Sequence, residues 1–391
     1  MRRGTLRSEF LLRPEVIFLN HGSFGACPRP VFEEYQRWQL ELERQPVAFF
    51  SGRTRLLPAA RAALAAHVGC DRDDLVFLPN ATTGISAVAR SLPLEPGDEV
   101  LATDHEYGAC DRAWEFACRG RGARYVKATV PVPLVTPEDV MAALFDAVTQ
   151  RTRILFVSHI TSPTAVIYPV REIARRAHEA GILTVVDGAH APGQIDLDLR
   201  ELDADFYAGN CHKWLCAPKG SGFLYARRSV QHLLAPPITS WGRAVDPAAP
   251  NAFVDEFEWQ GTRDLAAYLA VPAAIDYLAV RDWPRIRQRC HELATWTRDA
   301  VTALTGLEPL TLASDAWYAQ MVAMPLPPCD AVALKRRLLD EHSIEIPIVT
   351  WDGRQLVRVS VQGYNTHADV AALVDALARL LPQERTDSSR S

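Results

Sequence analysis

Between residues 75 and 225, short apolar runs alternate with helix-like stretches, and this alternation leaves the chain few architectures to choose from. The runs cover residues 75–78, 99–102, 124–127, 154–157, 183–186, 206–208 and 223–225. Helix candidates at 83–91, 109–119, 137–147 and 170–180 lie between them. A strand that is apolar throughout, with no polar alternation, must be covered on both faces. The pattern therefore predicts an α/β fold with a mainly parallel, seven-stranded sheet clothed by helices.

Amphipathic helices are expected at 31–43 and 53–67, from apolar positions three and four residues apart. Beyond residue 282 the pattern loosens into a helix at 286–304, a strand at 320–324, a helix at 331–341, strands at 345–349 and 356–361, and a helix at 368–381. That is the texture of a smaller α+β domain. A chain of 391 residues, 48% hydrophobic, exceeds one ordinary domain. A large domain at 51–282 and a small one at 283–381 are expected, with a disordered tail at 382–391 and a long Pro- and Ala-rich loop at 236–253.

Net charge is −5, so nothing attracts a polyanion and nucleic acid is not an expected partner. No apolar run has membrane-spanning length, and the basic N-terminus lacks a signal-peptide core. The eight cysteines form no C-x-x-C pair and no zinc-site spacing; they read as reduced thiols of a cytoplasmic protein, with no metal site. Lysine occurs only at Lys127, Lys213, Lys219 and Lys335, which shortens the list of possible nucleophilic amines.

Four segments carry chemistry. The apolar run 183–186 ends in Asp187, at the strand end where open α/β sheets bind ligands, with His190 three residues on. Alone, Asp187 reads more readily as a turn cap beside Gly188. Asp205-Phe206-Tyr207-Ala208-Gly209-Asn210-Cys211-His212-Lys213-Trp214 runs from a strand into a tight polar segment around a lysine, whereas Lys219 sits in what reads as an exposed turn. Asn80-Ala81-Thr82-Thr83-Gly84 opens a helix, suiting either a phosphate cradle or a plain N-cap. Thr103-Asp104-His105-Glu106-Tyr107-Gly108 follows another strand, with His105 able to stack on a ring and Tyr107 able to line a substrate. An amine, a buried acid, an anion cradle and a planar cover are together what pyridoxal 5'-phosphate (PLP) demands of a protein. On this reading Lys213 forms the Schiff base, Asp187 faces the pyridine nitrogen, His190 meets the ring hydroxyl, and Asn210 and His212 reach the phosphate.

The chain resembles the class V aminotransferase branch of the fold-type I PLP enzymes, and within it is similar to the isopenicillin N epimerase-like group. The resemblance lies in Leu19-Asn20-His21-Gly22-Ser23-Phe24-Gly25, Asp104-His105-Glu106-Tyr107-Gly108-Ala109, Asp187-Gly188-Ala189-His190-Ala191-Pro192-Gly193, His212-Lys213-Trp214 and Gly261-Thr262-Arg263-Asp264. It implies that residues 1–50 complete the small domain and the active site. It makes Lys213, Asp187 and His105 the catalytic set, with His105 covering the ring. Thr82, Thr83 and His212 hold phosphate, and Ser162 also reaches the cofactor. Thr262 reaches across from a second subunit, which implies a homodimer with shared active sites. Asn20 and Arg358 grip the substrate carboxylate, an arginine fork suiting that group, with His21 and Tyr107 beside them.

No cysteine lies in 343–357, where desulfurase relatives keep a catalytic one, so persulfide chemistry is not expected. The reaction implied first is epimerisation at the α-carbon of an amino acid or of a peptide-like amino acid. The alternatives are a carbon–sulfur β-lyase, an aminotransferase and, last, a catalytically silent scaffold. Epimerisation needs a second acid, for which Tyr107, His21 and Cys211 are candidates.

Overall fold

The structure is a computed structural model that describes residues 6–242 and 252–382. Twelve strands occur among the described residues: β1 (Ile17–Phe18), β2 (Leu75–Leu78), β3 (Glu99–Thr103), β4 (Arg124–Ala128), β5 (Thr152–Ser158), β6 (Leu183–Gly188), β7 (Phe206–Asn210), β8 (Gly222–Ala226), β9 (Met321–Leu326), β10 (Ile344–Glu345), β11 (Ile348–Trp351) and β12 (Arg354–Ser360). Seven of them form one sheet in the order β2-β8-β7-β6-β5-β3-β4. Only β8 runs against its neighbours.

The apolar runs explain why this sheet is buried. Side chains alternate between faces along a strand, so each run feeds two cores. Val76, Leu78, Val185, Phe206 and Ala208 join one cluster with the helices Ala81–Ser91 and Gly108–Arg121. Leu75, Phe77, Val186 and Tyr207 join the other, with the helices Arg53–Val68 and Val170–Glu179. Parallel strands linked by helices bring the ends of β3, β5, β6 and β7 to one edge, and every segment singled out for chemistry follows one of those ends or opens the helix after β2.

The smaller sheet has the order β11-β12-β9, antiparallel throughout. Here the expected strand 345–349 is two short strands with different partners. Pro347, which has no N–H to donate, separates them. β10 pairs in parallel with β1 while β11 pairs with β12. β1 itself is two residues long, too short for periodicity to reveal. The expected loop 236–253 gives way at its end to the helix Ala252–Glu258, and residues 243–251 lie outside the described set. The tail expected at 382–391 lies outside it from residue 383 onward. Helices at Pro46–Ser51, Ala266–Leu269 and Val271–Ala279 were not anticipated.

The N-terminal segment ties the two sheets together. Leu19 N–H donates to the Glu345 carbonyl at 3.0 Å, and Ser360 N–H donates to the Leu19 carbonyl at 2.9 Å. Residues 20–25 then turn onto the loop that carries Lys213. Two glycines permit this contact. Gly25 has φ +69°, and a Cβ there would lie 2.0 Å from the His212 carbonyl oxygen. Gly193 has φ +86°, and a Cβ there would lie 2.5 Å from the Trp214 carbonyl oxygen. The lysine loop is thus held from both sides by backbone that only glycine allows. Gly25→Ala is expected to destabilise the protein by about 1–3 kcal/mol in urea unfolding, because left-handed strain and a backbone clash add. An unchanged unfolding midpoint would show that the contact is not tight.

Candidate active site

The strand ends enclose a cavity of about 210 Å³. Asp187, His190, Asn210, His212 and Lys213 line it from β6 and β7. Ser158, Ile160 and Ser162 line it from β5, and Tyr107 from the segment after β3. Asn80, Ala81 and Thr82 close the helix-start side, while Ser23 and Phe24 close the side of the N-terminal segment.

Lys213 Nζ lies 3.1 Å from His190 Nε2, and Trp214 Nε1–H donates to His190 Nδ1 at 3.3 Å. The indole has a proton to give and no lone pair to receive one, so Nδ1 is the acceptor. Nε2 then carries the imidazole's proton and donates it to Nζ. Only the free amine can accept it, so this contact favours the uncharged form of Lys213. Burial acts in the same direction, pushing the Lys213 ammonium down to about 8 against the opposing pull of Asp187, while the positive charge of Arg358 lowers it further. Burial also holds His190 well below its ordinary value, assisted by the charges of Lys213 and Arg358. Lys219, the rival amine, is exposed.

Asp187 is 4% exposed. Its Oδ1 accepts from Ala189 N–H at 2.9 Å, and Oδ2 accepts from Cys110 Sγ–H at 3.4 Å. Burial raises its pKa, which the Ala189 N–H and the Lys213 charge oppose. A second carboxyl, Glu106, accepts 2.6 Å hydrogen bonds from Thr103 and Ser158. Burial pushes it up to about 8, with the Asp187 charge adding to the rise, so Glu106 is protonated at neutral pH.

On the far side, the helix Ala81–Ser91 starts at the cavity wall. Asn80 is its N-cap, accepting from Thr83 N–H at 2.8 Å and from the Thr83 hydroxyl at 3.0 Å. The cap is therefore the asparagine and neither threonine. Thr82 faces the cavity, while Thr83 is engaged with the cap and is not in the wall. Asn210 Oδ1 accepts from Ala81 N–H at 2.8 Å, which leaves the amide donors for a ligand. His212 Nδ1–H donates to the Ser221 carbonyl at 2.8 Å, freeing Nε2, and burial pushes this ring down to about 4. Helix N–H groups, a hydroxyl, an amide and an imidazole suit an anion of phosphate shape. With a poised amine and a buried carboxylate opposite, the residues present fit a phosphorylated aldehyde.

Arg358 on β12 stands behind Ser23 and Ser162. Its guanidinium donates to the Ser162 carbonyl at 2.5 Å and to the Ser162 and Ser23 hydroxyls, both at 3.1 Å. It is 5% exposed, its Nε has no hydrogen-bond partner, and no carboxylate pairs with it among the described residues. Burial lowers its pKa to about 10. Asn20 is one step further back, its side-chain oxygen accepting from the Ser23 hydroxyl.

Three expectations are corrected here. His105 does not face the cavity. Its Nδ1 accepts from Thr164 at 2.8 Å, its Nε2–H donates to the Val130 carbonyl at 3.3 Å, and its ring packs 4.3 Å from Trp351. Tyr107, which caps the next helix, is the aromatic side chain that this segment turns into the wall. His21 is also turned away: Nδ1 lies 3.0 Å from the Tyr364 hydroxyl and Nε2 lies 3.0 Å from the Lys213 carbonyl. It is fully buried and pushed down to about 3, so it buttresses the lysine loop as a neutral ring. Cys211 is buried in the core and raised far above its ordinary value by that burial, which removes it as a proton carrier. Thr262 is exposed and outside the cavity wall. Ser23, Asn80 and Ser158 were not singled out. A serine ending a strand or sitting in a loop has no distinctive spacing, although an asparagine directly before a helix is a readable cap.

The family model for aminotransferase class-V matches residues 30–373. An isopenicillin N epimerase from Amycolatopsis lactamdurans is 39% identical over 96% of this chain and 97% of its own length. A probable chloroplastic L-cysteine desulfhydrase from Arabidopsis thaliana is 28% identical over 94% of this chain and 83% of its own. Among solved structures, the cysteine desulfurase CsdA of Escherichia coli superposes with a TM-score of 0.80 at 25% identity, covering 97% of this chain and 98% of that one. With a family match across most of its length and a full-length relative well above one-third identity, the chain belongs to the class-V aminotransferase family.

Proposed function

We propose that this protein is a PLP-dependent epimerase that inverts the α-carbon of an amino acid or of a peptide-like amino acid. The observation that carries the substrate class is Arg358, a buried guanidinium with a free Nε and no carboxylate partner among the described residues. A buried cation without a counter-ion is costly, and a substrate carboxylate docked at Ser23 and Ser162 supplies one. The full-length likeness to an isopenicillin N epimerase supports inversion as the outcome.

The cofactor is PLP, which draws electrons from a substrate's α-carbon and so acidifies its C–H. Lys213, whose free-amine form His190 and burial favour, is the amine that would hold the coenzyme and then take the α-proton. Asp187 keeps the pyridine nitrogen protonated, and His190 lies within reach of the ring hydroxyl. Thr82, Asn210 and His212 hold the phosphate, with Thr83 acting only through the cap. Tyr107 covers the ring in place of His105. Asn20 positions Ser23, and Ser162 positions Arg358. Thr262, exposed and away from this chain's own cavity, supports a homodimer in which it serves the neighbouring site. No helix among the described residues is long and apolar enough to cross a membrane. The eight free thiols support a reducing, cytoplasmic setting.

A carbon–sulfur β-lyase is the second reading, favoured by the likeness to a cysteine desulfhydrase. Incubation with isopenicillin N and with cysteine in deuterated water separates the two. An inverted, α-deuterated product is expected; release of sulfide and pyruvate without inversion would replace the epimerase reading by the lyase. Arg358→Lys is expected to raise KM by about 10–100-fold with a smaller change in kcat, since a point charge cannot reproduce a fork. Unaltered KM would mean that the carboxylate binds elsewhere. Because only the free amine attacks an aldehyde, and the Lys213 pKa is lowered to about 8, capture of PLP by the apoprotein should quicken as pH rises to about 8 and level off above it. A rate still climbing at pH 10 would show an ordinary lysine.

A further inference from the structure

Inversion at carbon needs a proton removed from one face and a proton returned to the other. Lys213 serves one face only. Its neighbours His190 and His212 line the cavity from the same side, following β6 and β7. His21 and Cys211 are locked away from the cavity, as described. The opposite acid must therefore come from the other wall.

The strand order decides which wall that is. Across the sheet the neighbours run β7, β6, β5, β3. Lys213 follows β7, Asp187 ends β6, Ser158 ends β5 and Tyr107 follows β3. The lysine and the tyrosine thus enter from the two sides of the strand that carries the ring-nitrogen acid. Tyr107 is 44% exposed and still lines the cavity, so the residue borders both the cavity and solvent. The other side chains from that wall are Ser158, Ile160 and Ser162. Ser158 is donated to Glu106, and Ser162 accepts from Arg358. Ser162 keeps its own hydroxyl proton, but an aliphatic alcohol is a far weaker acid than a phenol, so Tyr107 is the acid this wall supplies. Arg358 lies close enough to Tyr107 for the two to interact electrostatically, and a phenolate formed there would face a buried cation.

We propose that Tyr107 is the second catalytic acid, donating its hydroxyl proton to the α-carbon on the face opposite Lys213. In the forward direction Lys213 Nζ gains the α-proton and becomes an ammonium, the Tyr107 O–H bond breaks as a new C–H bond forms, and a phenolate remains. The carbon gains one proton and loses one, with no oxidant or reductant involved. Solvent then returns a proton to Tyr107 as Lys213 releases one, a step that the exposure of this residue favours. The reverse reaction exchanges the two roles.

This inference rests on the epimerase reading, and its test separates the two. The holoenzyme and Tyr107→Phe are incubated with isopenicillin N in deuterated water, following both inversion and α-hydrogen exchange in the unreacted epimer. Tyr107→Phe is expected to retain the cofactor's visible absorbance. It is expected to lose inversion by about 100-fold or more, the lower range of general acid–base contributions. Exchange with retention should continue at near the wild-type rate, since Lys213 still works its own face. Equal loss of exchange and inversion would make Tyr107 a ring cover only and overturn the assignment, as would inversion within a few-fold of wild type. A wild-type enzyme that gives no inverted product refutes the epimerase reading itself, and with it the need for a second acid.

Discussion

A single hydrogen bond orders the chemistry of this cavity: the one between His190 and Lys213. Its direction is imposed from behind, because Trp214 can only donate and so commits one imidazole nitrogen to accepting. The amine beyond the other nitrogen can accept that proton only in its free form, so the contact favours the uncharged amine, as burial does. A histidine-to-lysine contact with no such indole behind it would leave the proton's place open. The tryptophan directly after the lysine therefore biases the lysine towards its free amine, although the two side chains are joined only through His190, in the turn after the neighbouring strand.

The carboxyl pair works by a similar division. Two buried acids on adjacent parts of the sheet edge cannot both ionise cheaply. Glu106 receives two hydroxyl donors and still remains protonated near neutral pH, because burial outweighs them. Asp187 has a backbone N–H, a thiol and the Lys213 charge in its favour. The two carboxyls are thus held differently: Glu106 is neutral near pH 7, while burial, which raises Asp187 too, is opposed there by three groups that favour its anion. Arg358 is a buried cation with no carboxylate partner among the described residues, and its charge acts on both Lys213 and His190.

Much of this was legible before any coordinates. The seven apolar runs announced a doubly covered sheet, because residues 75–78 or 183–186 can only be apolar throughout if both faces are packed. The lysine was legible because few lysines exist and only one follows a strand into a polar turn. What escaped was orientation. Residues 105 and 107 alternate around a turn, and no periodicity tells which one faces inward; the Thr164, Val130 and Trp351 contacts that turn His105 away come from distant segments. His21 escaped for the same reason, its partners being Tyr364 and the Lys213 carbonyl. The split of 345–349 was foreshadowed by Pro347, but the two-residue partner β1 carries too little pattern to be found from sequence.

The parallel pairing of Ile17 and Phe18 with Ile344 and Glu345 has a consequence for how the molecule comes into being. Strands from opposite ends of the chain must meet before residues 20–25 can settle against the lysine loop. During synthesis the central sheet has its own local partners and can form early, whereas this junction waits for the ribosome to deliver the last strands. The cavity is therefore finished late, and a nascent chain stalled before β10 would own the walls that follow β5, β6 and β7 without the clasp that sets Ser23 and Phe24 against them.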